Sequence, residues 1–230
     1  MHFAEKIIQF NQEITFTGTL PDGIRIMNPF RENPSVPELS AQFYRKYYSD
    51  NNERHLILGI NPGRHGAGLT GIPFTDPKRL IEKCGIAYNG TLAHEPSSVF
   101  VYEVIAAYGG MEAFYNDFYI NSPCPLGFTK MGDNGKEVNY NYYDSKALTE
   151  AVYDFMLESM EKHLALGIRR DIGFCFGTGQ NFKFLNKLNQ TQKYFDQLIP
   201  LEHPRFVMQY KSKEKMRYID AYLEAFAKIR

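Results

Sequence analysis

The sequence predicts an α/β fold built on a mainly parallel sheet with helices over both faces. Two observations lead there. Four short strand candidates, at 55–60, 117–121, 172–176 and 197–202, are bounded by turn residues, and stretches with helical spacing separate them. Strands joined through helices run parallel, and a parallel sheet is buried on both faces. The first strand also runs into Gly63, Gly66, Gly68 and Gly71. A buried strand ending in a glycine-rich loop is where such folds place their ligands. At 230 residues the chain reads as one domain, 1–230. Within it, 1–36 form an N-terminal helix with an irregular extension, and the core covers about 37–230.

Residues 1–11 read as a short helix, and 12–36, with Pro21, Gly23, Pro29 and Pro34, as irregular. Leu39, Phe43 and Tyr47 recur at helical spacing behind Ser35, a capping residue type. The run HLILGI over 55–60 has the length and flanks of a strand. Pro62 ends it, because proline has no amide proton to donate and restricts Asn61 before it. Asp76-Pro77 is a cap followed by proline in the first turn, predicting a helix over 77–83. Ser97 or Ser98 caps a helix over 98–108, closed by Gly109-Gly110.

The strand DFYIN over 117–121 stops before Pro123 and Pro125, and 127–143, rich in Gly and Asn, read as a surface excursion. Asp144 or Ser145 then caps one long helix to about Ala165, terminated by Gly167. IGFCF over 172–176 is the third strand, and Gly177-Thr178-Gly179 opens a helix over 179–189. The fourth strand, 197–202, runs into His203-Pro204, and a last helix spans about Ser212 to Ala227.

Composition excludes several classes. The N-terminus MHFAEKIIQF carries Glu5 and Lys6 inside its apolar part, unlike a secretion signal, and no run has the length of a membrane span. The expectation is an intracellular, cytoplasmic protein. Cys84, Cys124 and Cys175 are isolated, which excludes a disulfide framework and offers no CxxC metal site. They read as small buried hydrophobes. Formal net charge is zero, yet Arg205, Lys211, Lys213, Lys215 and Arg217 cluster against the single acid Glu214. Such a cluster is a solvated helix face unless other features point to phosphate.

In a parallel sheet the carboxyl ends of the strands share one edge. That gathers Asn61-Pro62-Gly63, Asn121-Ser122-Pro123, Gly177-Thr178-Gly179 and His203-Pro204 around one crevice. The loop also holds Gly66-Ala67-Gly68-Leu69-Thr70-Gly71, a formal GxGxxG, which keeps a nucleotide-cofactor enzyme open as an alternative. The spacing is wrong for that use: the match does not follow the strand directly, and Pro73 comes soon after.

Three segments in order carry a resemblance. They are Gly59–Phe74, with Asn61-Pro62-Gly63 and Thr70-Gly71-Ile72-Pro73-Phe74, then Tyr119 to Leu126 (YINSPCPL), then His203-Pro204. Together they resemble the uracil-DNA glycosylase superfamily, most closely its single-strand-selective monofunctional branch, over about residues 55–210. The resemblance implies a three-layer α/β/α sandwich around a four-stranded, mainly parallel sheet. It implies hydrolysis of the N-glycosidic bond of a damaged base to leave an abasic site, without lyase activity. The partner is then DNA, single- or double-stranded, read by a monomer with no cofactor and no metal.

By that resemblance Asn61 positions the attacking water, and His203 donates to the base oxygen as negative charge develops. Phe74 stacks on the base, Asn121 reads its edge, and Ile60 and Gly63 line the pocket. Gly63 is small enough to admit 5-substituted uracils. The resemblance also departs from the pattern. After His203-Pro204 the chain reads Arg205-Phe206-Val207-Met208, so Arg205, Phe206 or Met208 is the wedge into the vacated stack. Arg64 and His65 meet phosphate or line the pocket, and Lys211, Lys213 and Lys215 add phosphate affinity. The substrate is uracil, a 5-substituted uracil or a deaminated purine such as xanthine. A DNA-lesion binder without catalysis is the other alternative.

Overall fold

The computed structural model describes residues 1–229. The chain opens with α1 (Phe3–Glu13), which buries Phe3, Ala4, Ile7, Ile8 and Phe10. After it come β1 (Ile24–Met27), the one-turn α2 (Pro29–Glu32) and α3 (Val36–Tyr47). The segment expected to be irregular therefore holds a strand and a helical turn. Both are only four residues long and lie among prolines and glycines, so no periodicity marks them. Ser35 makes no capping bond at α3; its hydroxyl is held by Asn33 Oδ1 at 2.7 Å.

β2 (His55–Leu58) is followed by the turn α4 (Ala67–Thr70) and by α5 (Pro77–Glu82). Asp76 caps α5 by accepting from the Arg79 N–H at 2.8 Å. α6 (Pro96–Tyr108) is preceded by Glu95 at its N-cap, not by Ser97 or Ser98. Pro96 decides this, since proline fits the first helical position where no N–H is needed. α7 (Met111–Asp117) then leads into β3 (Phe118–Asn121).

The expected surface excursion at 127–143 is instead a hairpin of β4 (Gly127–Met131) and β5 (Glu137–Tyr140). With β1 it makes an antiparallel sheet in the order β1-β4-β5, and Phe128, Thr129 and Tyr142 there are fully buried. Its outer strand, EVNY, is only four residues long, too short for its alternation to stand out among the neighbouring Gly and Asn. The long helix expected to about Ala165 is broken at Val152 into α8 (Lys146–Ala151) and α9 (Tyr153–Ala165). Ser145 is the cap, accepting from the Leu148 N–H at 3.2 Å.

The chain closes with β6 (Ile172–Phe176), α10 (Gln180–Gln192), β7 (Gln197–Leu201), α11 (Pro204–Tyr210) and α12 (Lys215–Phe226). β3-β2-β6-β7 form a four-stranded sheet whose pairings are all parallel. Every residue of β2 and β3 is buried, as expected where helices cover both faces. One apolar cluster runs from Phe3 and Phe43 through Leu56, Ile57, Phe118 and Phe174 to Phe226. The sheet is thus the rigid layer from which the strand ends project.

Candidate active site

All four strands finish at the same edge, and the loops beyond them enclose a cavity of about 510 Å³. Ile60, Asn61, Gly63, Phe74, Asn121, His203, Arg205 and Phe206 all line it. Asn61 and His203, far apart in sequence, thus face one space. A second cavity of about 340 Å³ adjoins it, lined by His65, Met208, Arg205 and Glu95 among others. Glu95 and Arg205 belong to both walls.

Asn61 is aimed by the hairpin. Its Nδ2 donates to the Tyr140 carbonyl at 3.2 Å, and its Oδ1 accepts from the Tyr142 N–H at 3.0 Å. An amide has two N–H groups and two lone pairs, so one of each remains for a ligand. The clamp is itself anchored: the Tyr142 hydroxyl donates to Asn181 Oδ1 at 2.7 Å. Asn181 Nδ2 in turn donates to the Phe176 carbonyl at 2.9 Å and faces the Gly59 carbonyl at 3.2 Å. A chain of buried hydrogen bonds therefore ties Asn61 to the ends of β2 and β6.

His203 caps α11, where Nδ1 accepts the Arg205 N–H at 3.1 Å. An accepting Nδ1 puts the proton of a neutral ring on Nε2. Burial, helped by the Arg205 charge, pushes its pKa down to about 4, so the ring is neutral at physiological pH and Nε2–H is its donor. The Tyr222 hydroxyl donates to the Glu202 carbonyl and holds the approach to this cap.

Phe74 adopts φ 53°, a left-handed conformation that a bulky residue rarely takes. Its ring packs edge-on against Phe176 at 5.2 Å between centroids and tilts over His203 at 5.9 Å. Gly59 makes room for it, because a Cβ there would stand 3.0 Å from Phe74 Cε2. Asn121 is buried, with Oδ1 accepting from the Ser122 N–H at 2.9 Å and Nδ2 donating to the Tyr119 hydroxyl at 2.5 Å. One N–H and one lone pair are left to it as well.

Of the expected DNA contacts, Arg205 and the exposed Phe206 stand on the cavity rim, with Tyr210 tilted against Phe206 at 5.6 Å between ring centroids. His65 and Met208 stand at the second cavity. Arg64 lines neither; its N–H donates to Asn139 Oδ1 at 3.0 Å. The lysines of the basic cluster line neither cavity: Lys211 pairs with Glu214 at 3.1 Å and Lys215 with Glu103 at 2.5 Å. Lys213 sits in a short 3-10 turn, Ser212–Glu214. The glycine loop folds into the single turn α4, with Gly71 left-handed at φ 70° after it. It opens no full helix for a pyrophosphate, which removes the basis of the nucleotide-cofactor reading.

Several lining residues were not among the expected site residues: Glu95, Ser97, Asn139, Asn141, Tyr143, Gln209 and Tyr210. Asn139 and Asn141 belong to the hairpin hidden in the supposed excursion. Glu95 had one readable sign, the Pro96 that makes it an N-cap. Among the described residues no cluster of His, Cys, Asp and Glu is suited to a metal ion, and no helix is long and apolar enough to cross a membrane.

A family model for the uracil DNA glycosylase superfamily matches residues 45–227, which include all the lining residues named above. The chain is also similar to wild-type SMUG2 of Pedobacter heparinus in its crystal structure, with 62% identity, 100% of this chain and 98% of that chain covered, and a TM-score of 0.98. No curated protein matches the sequence.

Proposed function

The chain belongs to the uracil DNA glycosylase superfamily, a family of hydrolases acting on DNA, and we propose that it is a monofunctional member that releases a flipped-out damaged base by water attack. The substrate is uracil, a 5-substituted uracil or a deaminated purine such as xanthine, and the product is an abasic site. The observation that carries this reading is the shared cavity of Asn61 and His203, each with its orientation fixed by backbone groups and each with a polar valence left over.

The extruded base enters between Phe74 and the Asn121 wall, at a cost of a few kcal/mol of unstacking. Asn61, clamped to Tyr140 and Tyr142, holds the water with its remaining lone pair and N–H. As the glycosidic bond breaks, electron density moves onto the base. The His203 Nε2–H donates to it, a preorganised hydrogen bond of the kind worth roughly 2.7–4 kcal/mol. A neutral imidazole suits that task, since it needs no reprotonation between turnovers. Asn121 presents a donor and an acceptor to the base edge, and Arg205 and Phe206 on the rim hold the strand and fill its gap. The chemistry needs no cofactor. We read the protein as a monomer working on DNA in the cytoplasm.

The test is incubation with oligonucleotides each carrying one modified base, followed by alkaline cleavage at abasic sites. Wild-type protein is expected to release base, while Asn61→Ala and His203→Ala each lose about 10²–10³-fold in rate and keep their melting temperature. Full activity in either variant overturns the roles. Binding without abasic product at enzyme excess would leave a lesion-binding protein instead.

A further inference from the structure

Resting on the glycosylase reading, we infer that Glu95 is a third catalytic residue, a general acid that protonates a ring nitrogen of the departing base and so equips the site for deaminated purines. Its carboxyl reaches the cavity from the start of α6. The backbone is pinned there, because the Glu95 N–H donates to Asp76 Oδ2 at 2.7 Å and Asp76 is itself held by the Arg79 guanidinium at 2.9 and 3.0 Å. The side chain lies against the glycine loop. A Cβ at Gly66 would stand 2.1 Å from Glu95 Oε2, and one at Gly63 would stand 3.3 Å from Oε1. The carboxyl thus occupies the space that a side chain at position 66 would take.

Among the described residues no donor satisfies that carboxyl, which is half-buried at the junction of two cavities. A half-buried acid without a partner, facing a cavity, is open to a ligand. The groups around it decide which. Asp76 faces it from the α5 cap, Arg205 from α11, His65 from the glycine loop, and His94 precedes it in its own segment. Desolvation first and Asp76 second push its pKa up to about 7, against a smaller opposing pull from Arg205.

Two other groups of the base cavity are held away from proton transfer near neutrality. His203 is already neutral, and burial pushes the Tyr143 hydroxyl up to about 12. Glu95 is the group with a proton to give.

A departing pyrimidine can leave as an anion hydrogen-bonded by His203. A purine offers a basic imidazole-ring nitrogen, N7, that a pyrimidine lacks. In the proposed step the Glu95 O–H bond breaks and its proton bonds to N7, while the electron pair of the C1′–N9 bond passes to the purine. The water held by Asn61 bonds to C1′, and its displaced proton returns to the Glu95 carboxylate.

The test is single-turnover base release against pH, with hypoxanthine as the purine probe and uracil as the comparison. Wild-type release of hypoxanthine should fall about tenfold per pH unit above neutrality. Glu95→Gln, which keeps size and polarity, should lose about a hundredfold on hypoxanthine, lose less on uracil, and no longer follow that fall. A wild-type rate that rises through neutrality, or a Glu95→Gln variant with the wild-type rate and profile on hypoxanthine, overturns the acid role while uracil release stands. Absence of abasic product from every base in the wild type overturns the glycosylase reading and this role together. Independently of turnover, the infrared carboxyl band that Glu95→Gln removes should titrate near neutrality; a Glu95 fully ionised in mildly acidic buffer also overturns the proposal.

Discussion

Asn61, Asn121 and His163 illustrate how single side chains are committed before any ligand arrives. The Asn121 amide spends half its hydrogen-bonding capacity on Ser122 and Tyr119, which fixes which edge it offers. Asn121→Ala is therefore expected to flatten the relative rates across a panel of damaged bases; unchanged ratios would refute its reading role. His163 lies beneath this loop, fully buried, with Nε2 donating to the Ser122 carbonyl at 3.2 Å and Phe10 packed on its ring at 4.7 Å. Burial pushes its pKa down from 6.5 to about 4. The unfolded chain then takes up a proton that the native ring refuses, so stability falls as pH drops from 6.5 towards 4, by a total on the order of 3 kcal/mol. His203 acts in the same direction. Urea midpoints near pH 7 and near pH 4.5 should show the fall, and His163→Gln should reduce it; an equal fall in both proteins would count against His163.

At the scale of elements, Asp76 joins two helices that the sequence presents separately. It caps α5, forms two hydrogen bonds with the Arg79 guanidinium, and takes the N–H that starts α6. Asp76-Pro77 was readable as a cap because cap and proline are adjacent. The bond to Glu95 was not, because it spans a loop with no repeating pattern. Removing a buried ion-pair partner typically costs 3–5 kcal/mol, so Asp76→Ala should lower stability by about that amount in urea unfolding. A loss near that of an exposed cap, about 1 kcal/mol, would show that the α6 connection contributes nothing. The same contrast holds for β4 and β5: their short outer strand hides them in the sequence, yet the backbone at its end and just beyond aims Asn61.

Over the whole molecule, charge is balanced and the basic cluster after α11 is largely neutralised at home. Lys211 and Lys215 are paired with acids, whereas Arg205 stands on the rim of both cavities. Each phosphate contact adds close to one unit to the slope of log affinity against log salt. Arg205→Ala should reduce that slope on abasic-site DNA by about one, and Lys215→Ala should leave it unchanged. A slope that responds to Lys215 alone would move the footprint onto α12.

The parallel sheet, the order of its strands' motifs and the gathering of Asn61, Phe74, Asn121 and His203 at one edge were all readable in the sequence. Strand length, proline stops and the shared direction of parallel strands are local or topological rules, and local rules survive without coordinates. Only the tertiary structure decided what completes the cavity: the hairpin that clamps Asn61, the Asn181 link behind it, and the Glu95 carboxyl against Gly66. These contacts join residues far apart in the chain through single hydrogen bonds and close approaches, which leave no period and no composition to read.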